Sequence, residues 1–201
     1  MKNIITNTKK GFLLVALCVS MVSFANENSF YNVTIEANKT TLTINNVKEG
    51  SLLSLKDALG HVIASETIKT SGKYTREFDL SFLANGDYMF EVDKDLEIKE
   101  IPFAVKSGVA LFNKNEEKVI YKPFIRVSGD MVFVSKLAID GEPLDVEIIF
   151  TPKNSGNSSV VVSETIKNKD KIERVYQLSG AKKGEYQVIL YTAGRKFEKK
   201  I

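Results

Sequence analysis

From Asn32 onward, apolar and polar residues alternate in short runs rich in Val, Ile, Thr, Tyr and Phe, broken by clusters of Gly, Asn, Asp and Ser. Alternation with a period of two puts successive side chains on opposite faces of an extended chain, so each run predicts a strand with one buried face. The runs are "NVTIEA" (32–37), "TLTIN" (41–45), "SLLSLKD" (51–57), "HVIASETIK" (61–69), "TREFDL" (75–80), "DYMFEVD" (87–93) and "EIKEIPFAV" (97–105). Turn clusters such as "NNVKEG", "TSGK" and "LANG" separate them. No window sustains a helical period, and about seven short strands in this span predict an antiparallel, immunoglobulin-like sandwich.

The pattern then recurs. Sliding the chain by 98 residues lays 65–93 on 163–191 without a gap, and 11 of these 29 positions are identical, among them the whole of "SETIK", Arg76 with Arg174, Gly86 with Gly184 and Tyr88 with Tyr186. A repeat of that length is a domain, so the expectation is an all-β chain of two tandem sandwiches, at 26–106 and 107–201. Upstream of "SETIK" the match needs gaps, with the longer "FTPKNSGNSS" placing an insertion in a hairpin turn. Between the copies, "NKNEE" reads as a turn, and Pro123 favours an edge or a strand start.

The recurring Gly-x-Tyr phrase suits a tight corner between sheets. Gly86 and Gly184 supply the turn, while Tyr88 and Tyr186 begin a strand with the ring inward and the hydroxyl on a backbone group, as in a tyrosine corner. Arg76 and Arg174 fall on the inward side by parity, their stems expected on the core. The outward positions differ between copies: Glu77, Glu91 and Asp93 are replaced by Val175, Ile189 and Tyr191. Three apolar residues at solvent-side parity predict a contact surface on the second copy.

The first 25 residues stand apart. Lys2, Lys9 and Lys10 precede an uncharged apolar run from Gly11 to Phe24 that ends at Ser23-Phe24-Ala25, the plan of a secretory signal peptide. Cys18 follows the large Leu17 within this run, so it reads as part of the leader core rather than a lipidation site. The expectation is an exported chain of the periplasm, cell surface or exterior, with no transmembrane span after processing.

The leader also accounts for the charge. It holds three of the 28 Lys and Arg and none of the 25 Asp and Glu, which leaves 25 of each. A balanced chain gives no electrostatic reason to expect nucleic acid. Beyond Cys18 there is no cysteine, and His61 is the one histidine, so a His/Cys metal centre cannot be built. No G-x-S-x-G or phosphate-binding loop accompanies His61, which reads as a turn residue, and no catalytic, cofactor or metal residue is assigned. Asp93, Asp95 and Glu97 alternate in "EVDKDLE" and could offer oxygens to calcium, or could form a charged hairpin turn. A ligand-binding module for glycan or calcium is the alternative reading, although tryptophan, a common sugar platform, is absent.

Residues 53–92 follow a further pattern: apolar strand, Asp57, Gly60, apolar strand, then Leu80-Ser81-x-Leu83, Gly86-x-Tyr88 and another strand. This resembles the C-terminal sorting domain of the type IX secretion system of Bacteroidetes. The second copy matches through Leu178, Ser179, Gly184 and Tyr186 and ends in the basic strand "GRKFEKKI". The resemblance implies an address role, with the C-terminal copy as a secretion or sorting element and envelope secretion machinery, or another protein, as partner.

Overall fold

Sixteen strands run through the described residues. The first half contains β1 (Tyr31–Glu36), β2 (Lys39–Val47), β3 (Leu52–Asp57), β4 (Val62–Thr67), β5 (Gly72–Asp79), β6 (Gly86–Asp93), β7 (Glu97–Lys106), β8 (Val109–Phe112) and β9 (Lys118–Tyr121). The second contains β10 (Phe124–Ser128), β11 (Met131–Leu137), β12 (Leu144–Pro152), β13 (Ser159–Ile166), β14 (Lys171–Gln177), β15 (Gly184–Thr192) and β16 (Arg195–Lys200). This computed structural model describes residues 30–36, 39–153, 156–167, 170–178 and 184–201, with 31–201 forming one compact unit. The leader expected at 1–25, Cys18 included, lies outside the described residues, as does Ser179.

All strand pairings are antiparallel, and the two halves share one strand order. The first half pairs β1-β2-β5 in one sheet and β4-β3-β6-β7 in the other, and the second pairs β10-β11-β14 and β13-β12-β15-β16. Facing sheets bury their alternate residues between them. In the second half Val132, Val134 and Ile172 of one sheet pack in one cluster with Val146, Ile148, Val188 and Leu190 of the other. In the first half Phe78 of β5 meets Phe90 of β6 at 4.7 Å between ring centroids, and Phe103 and Phe112 extend the aromatic stack.

The boundary at 106/107 expected from sequence is corrected. Strand β8 pairs with residues 103–106 of β7 and β9 with residues 97–100, so the segment to Tyr121 widens the first half's sheet rather than opening the second. The reason is that β7 offers a free edge, and a run of strand-forming residues immediately following it can fold back onto that edge. Pro102, which has no N–H to give, sits in β7 where that outer edge passes from β9 to β8. Pro123 directly precedes β10.

The repeated "SETIK" and Arg have a shared purpose in the fold. Glu66 on β4 pairs with Arg76 on β5 at 2.7 Å, and Glu164 on β13 pairs with Arg174 on β14 at 2.9 Å. In each half the two strands belong to different sheets, so the ion pair closes the open side of the sandwich. A tyrosine hydroxyl joins each carboxylate, from Tyr74 two residues before the Arg in the first half and from Tyr176 two residues after it in the second. Hydrogen bonds from Tyr176 and then Arg174 hold the Glu164 carboxyl below its ordinary range. Ile68 and Ile166, two residues beyond each Glu, are buried.

The halves are locked together by a charged junction. Glu91 faces outward from β6, as its parity requires, yet it is only 5% exposed. Arg195, in the strand that follows the Ala193–Gly194 turn, donates to both Glu91 and Glu100, the latter at 2.6 Å, while Lys56 reaches Glu91 at 2.8 Å. Ile98 and Ile120, cross-strand neighbours on this same outer face, are buried too.

Candidate functional site

The three-stranded sheets of the two halves are related row by row, and their outer faces differ in chemistry. In each, one residue of the central strand lies opposite the repeated arginine: Leu42 opposite Arg76 and Val134 opposite Arg174. Counting from that pair, the first half's outer row Thr34–Thr41–Glu77 corresponds to Arg126–Phe133–Val175 in the second. The next row, Asn32–Thr43–Thr75, corresponds to Phe124–Ser135–Glu173.

The first half's outer face is thus a polar ladder. Thr43 and Thr75 lie 3.2 Å apart through their hydroxyls, and Lys39 pairs with Glu77 at 3.1 Å. The second half's face has an apolar centre. Val175 is 53% and Phe124 56% exposed, Phe133 lies half-buried between Val175 and Arg126, and the Arg126 guanidinium sits 4.0 Å above the Phe133 ring. Stacking of this kind presents the ring and the cation together at the surface.

This apolar face runs into a cleft of about 630 Å³ between the halves, lined by Leu96, Tyr121, Phe124 and Leu137. Leu96 and Leu137 are both exposed. Five lysines rim the cleft, and each has a carboxylate partner: Lys48 with Asp95, Lys94 with Glu97, Lys122 with Asp93, Lys136 with Asp140 and Lys171 with Glu173. The rim is therefore electrostatically balanced, and the apolar side chains are what it leaves unsatisfied. Asp93, Asp95 and Glu97, the candidate calcium oxygens, are thereby each engaged by a lysine, and the described residues hold no cluster of three or more metal-ligating side chains.

The contact surface expected at Val175, Ile189 and Tyr191 is corrected, because these residues do not share a face. Val175 on β14 belongs to the three-stranded sheet, whereas Ile189 and Tyr191 on β15 belong to the four-stranded one. The outer faces of two stacked sheets point in opposite directions, so strands adjacent in sequence across a corner present their outward residues on opposite sides. Ile189, flanked by Glu147 and Glu198, is 5% exposed, while Tyr191 is 38% exposed beside Asp145 and Lys196. Only Val175 lies on the apolar face.

The corner residues take up distinct tasks. The Tyr88 hydroxyl donates to the Ala84 carbonyl at 3.0 Å, the bond of a tyrosine corner, with the ring half-buried and stacked on Phe103 at 5.7 Å. Tyr186 is buried against Phe150 at 4.7 Å, and its backbone exchanges hydrogen bonds with Ile201. Glycine is needed at 184 for space rather than for a turn angle: a Cβ there would lie 2.3 Å from the Thr151 carbonyl oxygen. At Gly86 the nearest atom would be 3.9 Å away, on Tyr88. His61 closes the β3–β4 hairpin, its ring nitrogen 3.0 Å from Asp57, whose other oxygen accepts from the Leu59 and His61 amides.

Phe124, Phe133, Leu137 and Leu96 were not legible as site residues in the sequence. The gap-free part of the repeat begins only at Ser65, so it sets Val175 against Glu77 but leaves Phe133 and Thr41 unaligned. A gapped alignment anchored on inward-facing Leu42 and Val134 carries the signal.

No family model and no curated protein matches this chain. Among solved structures it is similar to the BSP domain of a biofilm associated protein, at 15% identity and a TM-score of 0.25, with 85% of this chain covered. The chain spans 28% of that protein's length. It is also similar to a structure of the receptor tyrosine kinase Torso, at 10% identity and a TM-score of 0.24, covering 86% of this chain and 72% of that one. The human OSCAR ligand-binding domain is a third, at 8% identity and a TM-score of 0.24, covering 85% and 94%.

Proposed function

We propose that this chain is an exported, non-enzymatic β-sandwich protein of the cell envelope or exterior that acts through protein contact, with its C-terminal half as the contacting and address-bearing element. The observation that carries this reading is the replacement of the polar row Thr34–Thr41–Glu77 by Arg126–Phe133–Val175 on an otherwise equivalent sheet. A sheet face left to solvent keeps polar residues at outward positions, as the first half does. An aromatic, a β-branched residue and a stacked arginine at those positions form the composition of an interface core. The basic, apolar and small-residue order of residues 1–25 supports export. The likeness of both copies to sorting domains supports recognition by envelope machinery.

The test is a photo-crosslinking amino acid placed at 175 in intact cells, combined with fractionation. The expected result is a chain outside the cytoplasm that crosslinks to a discrete protein, with the crosslink lost on Phe133→Asp. A chain retained in the cytoplasm rejects export. An intact, correctly folded chain that gives no crosslink from 175 rejects the contact face.

A further inference from the structure

The charges flanking the apolar centre say which partner it fits. Arg126 lies on β10 at one margin of the sheet, and Glu173 lies on β14 at the other, with β11 between them. Strands are spaced about 5 Å apart and alternate same-face residues about 7 Å along a strand, so the two charges are separated by roughly 10 Å across and one row along. Among the described residues Arg126 stacks its guanidinium on Phe133 and has no carboxylate partner, while Glu173 pairs with the exposed Lys171 at 2.7 Å. An exposed pair of that kind is worth little and is readily exchanged.

A two-fold axis lying in the plane of the face and parallel to β11 superposes the β10 of one copy on the β14 of another. Phe133 then meets Phe133 at the centre, and Arg126 of each copy falls over β14 of the other, within reach of Glu173, twice. A cation at one margin, an acid at the other and an apolar middle make a surface complementary to itself, which is what an isologous dimer needs. The near balance of 28 basic against 25 acidic residues leaves little net repulsion between two copies.

We infer that the outer face of the β10-β11-β14 sheet is a homodimer interface, centred on Phe133 and Val175 and oriented by reciprocal Arg126–Glu173 pairs. This rests on the contact-face reading and names its partner as a second copy of the chain.

Sedimentation of the purified full chain over a concentration series tests it. The expected result is a monomer–dimer equilibrium. Phe133→Thr with Val175→Glu, which installs the first half's own residues at the equivalent outward positions, is expected to weaken it by about tenfold or more, with the chain still folded. Arg126→Glu alone weakens association about tenfold, and Arg126→Glu with Glu173→Arg restores it. Within one copy β11 separates the two residues, so restoration arises between copies. A chain that is monomeric throughout, or a dimer indifferent to these substitutions, overturns the inference. A monomeric chain that still crosslinks from 175 to a different protein leaves the contact face standing and removes only the second copy.

Discussion

Arg195 and Glu91, 104 residues apart in the chain, form a partly buried ion pair that joins the last strand of the second half to the middle of the first half's sheet. Neither charge has a counterpart at the equivalent position of the other half, where Glu97 and Ile189 stand. The pair therefore belongs to the junction and not to either sandwich.

Removing one partner strands the other in a site poor in water. Arg195→Met is expected to lower unfolding stability by roughly 3 kcal/mol, because Glu91 keeps Lys56 but Glu91 and Glu100 both lose the guanidinium, and adding Glu91→Met should cost much less than a second loss of that size. Urea unfolding of the single and double variants measures both. The pH dependence has a definite sign. Burial pushes the Glu91 carboxyl upward, but hydrogen bonds from Arg195 and Lys56 outweigh it and hold the group below its usual 4.5. A depressed carboxylate stabilises the fold fully above about pH 4.5 and loses that contribution as pH falls through the native value. Stability should fall below pH 4.5 in the parent chain and fall less steeply in Glu91→Gln.

Gly184→Ala places a methyl group 2.3 Å from the Thr151 oxygen and 2.6 Å from the Phe150 ring. Both neighbours are held in β12, paired with β15, so the strands must separate. A loss of roughly 2 kcal/mol is expected, read as a lower thermal transition. An unchanged transition would show that the Gly184–Pro152 pairing is not maintained.

Tyr88→Phe deletes the hydroxyl that the Ala84 carbonyl accepts and leaves the ring stack on Phe103 in place. The expected cost is about 1 kcal/mol, with no change in the denaturant slope, because one hydrogen bond is lost and no surface is newly exposed.

Strands β8 and β9 complete the first half's sheet. A fragment ending at residue 106 uncovers the edge of β7 and the faces of Ile98 and Phe103 that Ile120 and Phe112 contact across the ladder. It is expected to bind a hydrophobic dye and aggregate, while a fragment ending at residue 122 unfolds with a sharper transition and binds less dye. Equal behaviour of the two fragments counts against a structural role for β8 and β9.

The sequence by itself determined the class of structure and its internal echo. Alternation with a period of two fixes strands because a pleated chain sends neighbours to opposite faces, and a matched spacing of "SETIK", Arg and Gly-x-Tyr makes the same strand order follow twice. What only the tertiary structure decided is which residues share a surface. Parity tells inside from outside but not which of two sheets a strand joins, so Val175 parted from Ile189 and Tyr191 and was reunited with Phe124, Phe133 and Leu137 instead. Parity likewise placed Glu91 outward, and only the docking of Arg195 turned that outward position into a buried one, because burial depends on what a distant part of the chain brings to cover it.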